Sequence, residues 1–328
     1  MISLLLTAAL AGAPARAQGF GPAPKPYGVL IMAYDVDAGW RQELGSLRRL
    51  IKGHAVESVN DAGDRISVQR ALDRLTAQHV GKVVGVPLET VSASVRLENT
   101  RFLFGQRAEP VRDAPGPAGG VDGADMKPMT APVKSALVLD APSGRARRLR
   151  SPVPLVLAPA MDQSPLLVDI LADRAKALAR DPGRESLVLA GVAPRSDAAR
   201  KDWLAAAQAV ADKVGAKAGF ARAVAVGVRD GVRSGQQDKD RADLQARFRD
   251  LIRQGSVDAV PLSPDAERVG ELLHQTLGGF YAYRWDGKGV RGDRRLAEWI
   301  QAAAAQASAL PDGRRFKDGA GLAPGGWP

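Results

Sequence analysis

Apolar positions along this chain fall into short unbroken runs that alternate with stretches of helical spacing. The first run, Gly28-Val29-Leu30-Ile31-Met32-Ala33, follows Pro26 and Tyr27 and ends in the polar turn Tyr34-Asp35-Val36-Asp37. A run of this length and flanking predicts a strand buried on both faces. Residues just beyond such a strand face the crevice at the sheet's carboxyl edge, where open α/β folds hold ligands. Trp40, Leu44, Leu47, Leu50 and Ile51 then predict a helix over 38–52. Ser67 reads as the N-cap of a second helix with Val68, Ala71, Leu72 and Leu75 on one face. Val83-Val84-Gly85-Val86-Pro87-Leu88 is the next buried strand, and Glu98 and Arg101 fall as a solvated pair on a helix after it. Strand, helix, helix, strand in this order predicts a parallel sheet with covering helices.

From 106 to 150 the pattern gives way to Pro, Gly, Asp and Arg, with Ala136-Leu137-Val138-Leu139 the one strand-like run. This reads as a linker between two domains. Pro154-Leu155-Val156-Leu157 opens the second half, and Ser164-Pro165 starts an amphipathic helix to Arg180. A strand at 187–194, a helix carrying Trp203, a strand at 223–226 and a helix through Leu244–Ile252 follow. Asp258-Ala259-Val260-Pro261-Leu262 is the next strand, Ser263-Pro264 caps a helix through Leu277, and an Ala-rich helix spans 296–310. The tail 311–328 is expected to be disordered. Two pieces recur in order. Leu30-Ile31-Met32-Ala33 with Trp40 parallels Leu187-Val188-Leu189-Ala190 with Trp203, and Val86-Pro87-Leu88 parallels Val260-Pro261-Leu262. The chain therefore reads as two similar α/β domains, 27–105 and 151–310.

Composition narrows the partners. A net charge of +10 favours acidic ones: nucleic acid, anionic lipid or polycarboxylate ligands. The densest basic run, Arg145-Ala146-Arg147-Arg148-Leu149-Arg150, has no interleaved stacking aromatics, which argues against nucleic acid. The absence of cysteine rules out disulfides, thiol catalysis and thiolate metal ligands together. Residues 1–17 hold a short apolar core and the small-x-small pattern Ala15-Arg16-Ala17 before Gln18. They read as a secretory signal peptide, which predicts a secreted or periplasmic protein. No later segment is long and apolar enough to be read as a transmembrane span.

Over most of 27–105 and 152–300 the order of motifs is similar to the class II chelatases, the CbiX/sirohydrochlorin cobaltochelatase family. The matching pieces are Met32-Ala33 with Trp40, Ser67-Val68-Gln69 with Leu72 before Val86-Pro87-Leu88, and Asp169-Ile170-Leu171-Ala172-Asp173-Arg174-Ala175. Asp181-Pro182, Glu185-Ser186, and Leu277-Gly278-Gly279 with Gly289-Val290 and Trp299-Ile300 complete them. The resemblance implies two flavodoxin-like domains with parallel sheets, facing each other across a cleft. It also implies a lyase that inserts divalent cobalt or iron, as substrate, into a tetrapyrrole. In that family an Ala-His-Gly turn supplies an imidazole suited to binding a borderline metal and to taking pyrrole protons.

Here Ala33-Tyr34-Asp35 stands at the first such turn and Ala190-Gly191-Val192 at the second. Glu89 and Thr90 follow the first Val-Pro-Leu strand, Ser263 and Pro264 the second, where a further family histidine is expected. His54, His79 and His274 fall in or beside helices, away from the crevice turns. The candidates to replace histidine are Tyr34 and Asp35 as catalytic groups, and Tyr34, Asp35 and Glu89 as oxygen ligands to a metal. Against this, Tyr34 can simply pack at the strand end while Asp35 or Asp37 caps the following helix. Arg195, beyond the second turn, is the candidate to hold an anionic ligand. Three readings remain: a metal-inserting chelatase, a non-catalytic exported protein that binds a metal, a tetrapyrrole or another anionic small molecule, and a structural protein on the same fold. Export argues against a biosynthetic role, because soluble tetrapyrrole precursors are made inside the cell.

Overall fold

The computed structural model describes residues 26–34, 38–111, 113, 147–232, 234–279 and 281–317. Through the first half run β1 (Tyr27–Met32), α1 (Ala38–Leu50), β2 (Ala55–Val59), α2 (Arg65–Thr76), β3 (Lys82–Pro87), α3 (Val95–Leu103) and β4 (Leu155–Leu157). Then come α4 (Pro165–Leu178), β5 (Ser186–Val192), α5 (Asp197–Ala218), β6 (Arg222–Val228), α6 (Ser234–Gln254), β7 (Val257–Pro261), α7 (Ala266–Leu277), β8 (Arg284–Trp285) and α8 (Arg295–Ser308). They build two four-stranded sheets, ordered β2-β1-β3-β4 and β6-β5-β7-β8, with every pairing parallel. The two orders are one pattern used twice. The paired repeats of the sequence occupy matching strands, one residue out of the sequence alignment: Met32, rather than Ala33, stands opposite Pro87 as Ala190 stands opposite Pro261.

The strand at 155–157 is a correction to the sequence reading. It does not open the second half; Val83, Val84 and Gly85 pair with Leu155, Val156 and Leu157, completing the first sheet. From there the chain crosses. Helix α4 follows a strand of the first sheet but packs on α5 and on β7 of the second. Helix α8 follows β8 of the second sheet but packs on β3, β1 and β4 of the first. One core therefore joins Val29, Ile31 and Val84 to Leu187, Leu189 and Val260, with Leu171 of α4 and Ile300 of α8 between them. Two further cores fill the outer faces, one under α2 and α3 and one under α6 and α7.

Local details also differ from expectation. Asp64 rather than Ser67 caps α2, accepting from the backbone N–H of Ile66 at 3.0 Å and of Ser67 at 3.3 Å. A carboxylate suits the positive end of the helix dipole. Asp265 caps α7 in the same way, accepting from Arg268 N at 3.0 Å, whereas Ser164 and Pro165 start α4 as predicted. Residues 311–317, expected to begin a disordered tail, run along the free edge of β4. Gly313 N donates to Leu155 O at 2.9 Å, and Arg315 N and Phe316 N donate to Gly105 O at 2.8 and 2.9 Å. Covering an edge strand in this way removes an unpaired row of backbone groups. Lys82 Nζ fixes the end of α8 through Ser308 O at 2.7 Å and Leu310 O at 2.6 Å. The predicted strand at 136–139 lies outside the described residues.

Gly85 in β3 is set by packing, since a Cβ there would stand 2.5 Å from the ring of Phe104 and 3.1 Å from Leu157. Gly85→Ala is expected to lower unfolding stability by about 1–3 kcal/mol, the usual cost of overpacking a filled core. Urea denaturation of both proteins measures it, and an unchanged midpoint would contradict this account of the β3 face.

Candidate functional site

The carboxyl edge of the first sheet is built by Met32, whose carbonyl accepts from Leu88 N at 2.7 Å, and by Ala33, held by Val59 O at 3.1 Å and by Ala62 N at 2.7 Å. This places Tyr34 beside the β3–α3 turn that carries Glu89. Tyr34 is only 7% exposed, and its hydroxyl lies 2.8 Å from Thr100 Oγ1. Thr100 Oγ1 also lies 3.0 Å from Arg96 O. Burial and the neighbouring Glu89 carboxylate push the phenol above its ordinary range, against smaller opposing effects of the Thr100 hydrogen bond, Arg96 and Arg101. An ordinary phenol, near 10, is already ionised to only about one part in a thousand at pH 7. Tyr34 is less so, and it is neither a base nor an anionic ligand at neutral pH.

Glu89 accepts from Ser94 Oγ at 3.0 Å, while its backbone carbonyl accepts from Met161 N at 2.9 Å. Ser94 is also the N-cap of α3, accepting from Leu97 N at 3.4 Å. Burial raises the Glu89 carboxyl above its usual range, with Asp162 adding to the rise; Arg96, Ser94 and the Thr90 N–H oppose it. Asp162 accepts from Ser92 N at 2.7 Å through one oxygen, while its other oxygen is buried without a hydrogen-bond partner. Asp35, the remaining candidate of the first turn, lies outside the described residues, as does Asp37.

The second crevice turn is occupied by charged groups of the chain itself. Arg195 Nε donates to Asp230 O at 2.9 Å. Its backbone N–H donates to both oxygens of Asp113, at 2.8 and 3.0 Å, and Ser196 N donates to the same carboxylate at 3.0 Å. The amides at the start of α5 thus already hold an anion, supplied from the predicted linker. Next to them Arg229, with a side chain only 1% exposed, is clamped by both oxygens of Asp240 at 2.6 Å and by Asp197 at 2.6 Å. Arg229 also donates to Arg195 O at 2.9 Å. Neither Asp113 nor Arg229 stands out in the sequence: one sits in a Pro/Gly-rich stretch and the other is one Arg among many.

The two edges meet. Trp40 Nε1 of α1 donates to Pro264 O, and Thr90 Oγ1, after the first Val-Pro-Leu strand, donates to Leu262 O of the second at 3.1 Å. The histidines stand elsewhere. His54 stacks on Tyr27 with centroids 4.1 Å apart, His79 lies in the turn after α2 with a positive φ, and His274 lies on α7. Glu98 pairs with Arg101 and Arg107 rather than standing over the crevice. Among the described residues, no group of three or more His, Cys, Asp or Glu side chains could hold a metal ion. Nor is any described helix long and apolar enough to cross a membrane.

No family model matches the chain, and no curated protein matches it. Among solved structures it is similar to the sirohydrochlorin chelatase SirB of Bacillus subtilis subspecies spizizenii in complex with cobalt. The identity is 10% and the TM-score 0.48, over 89% of this chain and 100% of that one. SirB from Bacillus subtilis with Fe3+ gives 10% identity and a TM-score of 0.47, over 87% and 96%. A multi-domain Deinococcus radiodurans protein, DR2241, itself structurally similar to chelatases, gives 16% and 0.44, over 86% and 55%. Likeness of this degree carries no chemistry, so the site is read from its own residues. The fold is α/β, with two parallel sheets covered by helices, as the chelatase resemblance implies.

Glu89 gives this site a measurable pH signature. Its carboxyl titrates higher in the folded chain than the 4.5 of the free group, so across that window the folded state binds more protons than the unfolded one. Stability from this group therefore falls as pH rises from 4.5 through the folded value. In Glu89→Gln that fall is absent: stability relative to wild type should move in the variant's favour as pH climbs through the window. Denaturant midpoints at a series of pH values measure the difference, and a difference independent of pH would refute the buried-carboxyl account.

Proposed function

We propose that this chain is a non-catalytic protein on a chelatase-like fold, one that binds a tetrapyrrole or another anionic small molecule and does not insert a metal into it. One observation carries the reading. At the turn where the resemblance places a metal-binding, proton-accepting imidazole, Tyr34 is buried, bonded to Thr100 and held above its ordinary titration range. Metal insertion needs a ligand for the incoming ion and a base for the pyrrole protons. Tyr34 is neither at neutral pH, and Glu89 is half-buried and bonded to Ser94. The described donor set does not fit a cobalt or iron substrate. An excess of ten positive charges supports a polycarboxylate ligand.

The test offers purified protein sirohydrochlorin with cobalt or ferrous ion and follows the tetrapyrrole absorbance. The expected outcome is a spectral titration with protein and no insertion above the protein-free rate. Turnover that disappears in Tyr34→Phe would overturn the reading in favour of a working chelatase. No spectral change with sirohydrochlorin, and none with other carboxylated porphyrins, would overturn it in favour of a structural role.

The same proposal places the protein outside the cytoplasm, in the periplasm or the medium, on the strength of the apolar core and Ala15-Arg16-Ala17 in its first residues. Protein recovered from the periplasm of an expressing bacterium should begin at Gln18 when its amino terminus is sequenced. Recovery of the intact chain from the cytoplasm alone would contradict export.

A further inference from the structure

At the open edge of the second sheet, beside the Arg229–Asp240 pair of the second crevice turn, lies a cavity of about 330 Å3. Leu204 of α5, Val226 and Val228 of β6 and Leu244 of α6 give it an apolar wall. Arg200, Arg241 and Arg247 stand around it.

Strand β6 ends its sheet, so the backbone groups on its outer side have no strand to pair with. In a parallel strand, successive residues direct their N–H and C=O alternately to the two sides. Val228 faces inward, its carbonyl accepting from Ala193 N at 2.8 Å. Ala223 and Ala225 face outward, and there Gln208 takes the place of a neighbouring strand. It donates to Ala223 O at 3.0 Å and accepts from Ala225 N at 2.8 Å. The next outward residue is Gly227, beyond the reach of that side chain, and it lines the cavity.

The charges are unevenly satisfied. Asp240, on the cavity wall, has both oxygens engaged by Arg229 at 2.6 Å. Arg200 stands 4.0 Å from the same carboxylate, and its buried Nε has no hydrogen-bond partner. Arg247 reaches Ala225 O at 3.4 Å, beyond the usual length of a good hydrogen bond. With the Arg229–Asp240 pair set aside, Arg200, Arg241 and Arg247 face one acid, Asp243. A buried guanidinium donor without an acceptor is costly, and a charge-assisted bond to a carboxylate is the strongest contact it can make.

We propose that this cavity binds a small organic carboxylate. The acid group lies between Arg200 and Arg247, a polar substituent meets the outward edge of Gly227, and the apolar body rests on Leu204, Val226 and Leu244. A bare inorganic anion would leave the apolar wall unused, so the geometry favours an acid with a hydrocarbon or aromatic body. The site borders the second crevice turn, and the proposal does not rest on the tetrapyrrole reading.

The test titrates the full chain with sodium benzoate and, separately, with inorganic phosphate, by calorimetry and by following the Gly227 amide in nitrogen-15 NMR. Benzoate should saturate, shift the Gly227 amide and bind at least about tenfold more weakly to Arg200→Gln. Arg247 is exposed, so Arg247→Gln leaves the fold intact and should show the same weakening. Absence of saturable benzoate binding would overturn the proposal, as would unchanged affinity in both variants. Phosphate binding as tight as benzoate would overturn the choice of an organic acid.

Discussion

The structure depends on a reciprocal exchange of helices. Helix α4 leaves the first sheet to cover the second, and α8 leaves the second to cover the first. Neither sheet has its inner face buried by its own half alone, so the two cannot be separated without exposing Val29, Ile31 and Val84 on one side and Leu187, Leu189 and Val260 on the other. Apolar burial at this scale dominates other terms in folding, and it fixes the carboxyl edges against each other. The polar contacts at the seam are then consequences. Thr90 meets Leu262 O, Lys82 holds the end of α8, and Arg174 reaches Gly289 O at 3.1 Å and Arg291 O at 2.9 Å from α4.

With the edges so placed, each crevice turn is completed by groups of the chain itself. At the first, a phenol and a carboxyl take the hydroxyls of Thr100 and Ser94 as partners. At the second, the amides of Arg195 and Ser196 hold Asp113, and Arg229 holds Asp240 and Asp197. A functional crevice keeps donors and acceptors aimed at an empty place for a ligand to fill. Here the described groups are aimed at one another, which stabilises the turn and leaves less for chemistry. Burial makes this self-satisfaction obligatory, because a buried polar group left unpaired costs more than a paired one gains.

The central strands were legible in the sequence because they are buried on both faces and therefore continuous in apolar residues: β1, β3, β5 and β7 stand where the runs predict. The edge strand β6 was legible too, as the run at 223–226, but the edge strands β2 and β8 were not. In β2, Ala55-Val56-Glu57-Ser58-Val59, a glutamate sits mid-strand and is buried only because Arg74 at 2.9 Å and Arg48 at 3.5 Å neutralise it. Strand β8 is two residues long and is held by Arg284, which pairs with the fully buried Asp258 and with Glu185 at 2.8 Å. The crossing of α4 and α8 was illegible for a different reason. Amphipathic spacing says which face of a helix is buried, not which sheet buries it. At the site, Tyr34 and Glu89 were found from their place after a strand, but their protonation depends on Thr100, Ser94 and Asp162, which only the fold brings near.

The same logic bears on the basic charge, the feature that most strongly suggested an acidic partner. Much of it is structural. Arg148, in the densest basic run, lies 4.6 Å from the Phe102 ring centroid and 5.6 Å from that of Phe316, joining the tail to α3. Leu149 beside it is buried and donates its N–H to Leu103 O at 2.9 Å. Arg229, Arg284 and Arg295 are each fastened to two carboxylates. Guanidiniums serve this purpose well because their fork matches a carboxylate and stays charged when buried. Net charge therefore overstates what is free for an outside anion, and the choice of ligand falls to individual side chains. Arg200 is one of them: a guanidinium with an unpartnered Nε, lining a cavity with valine and leucine at the open edge of a sheet, is a more specific signal for an anion than ten surplus charges.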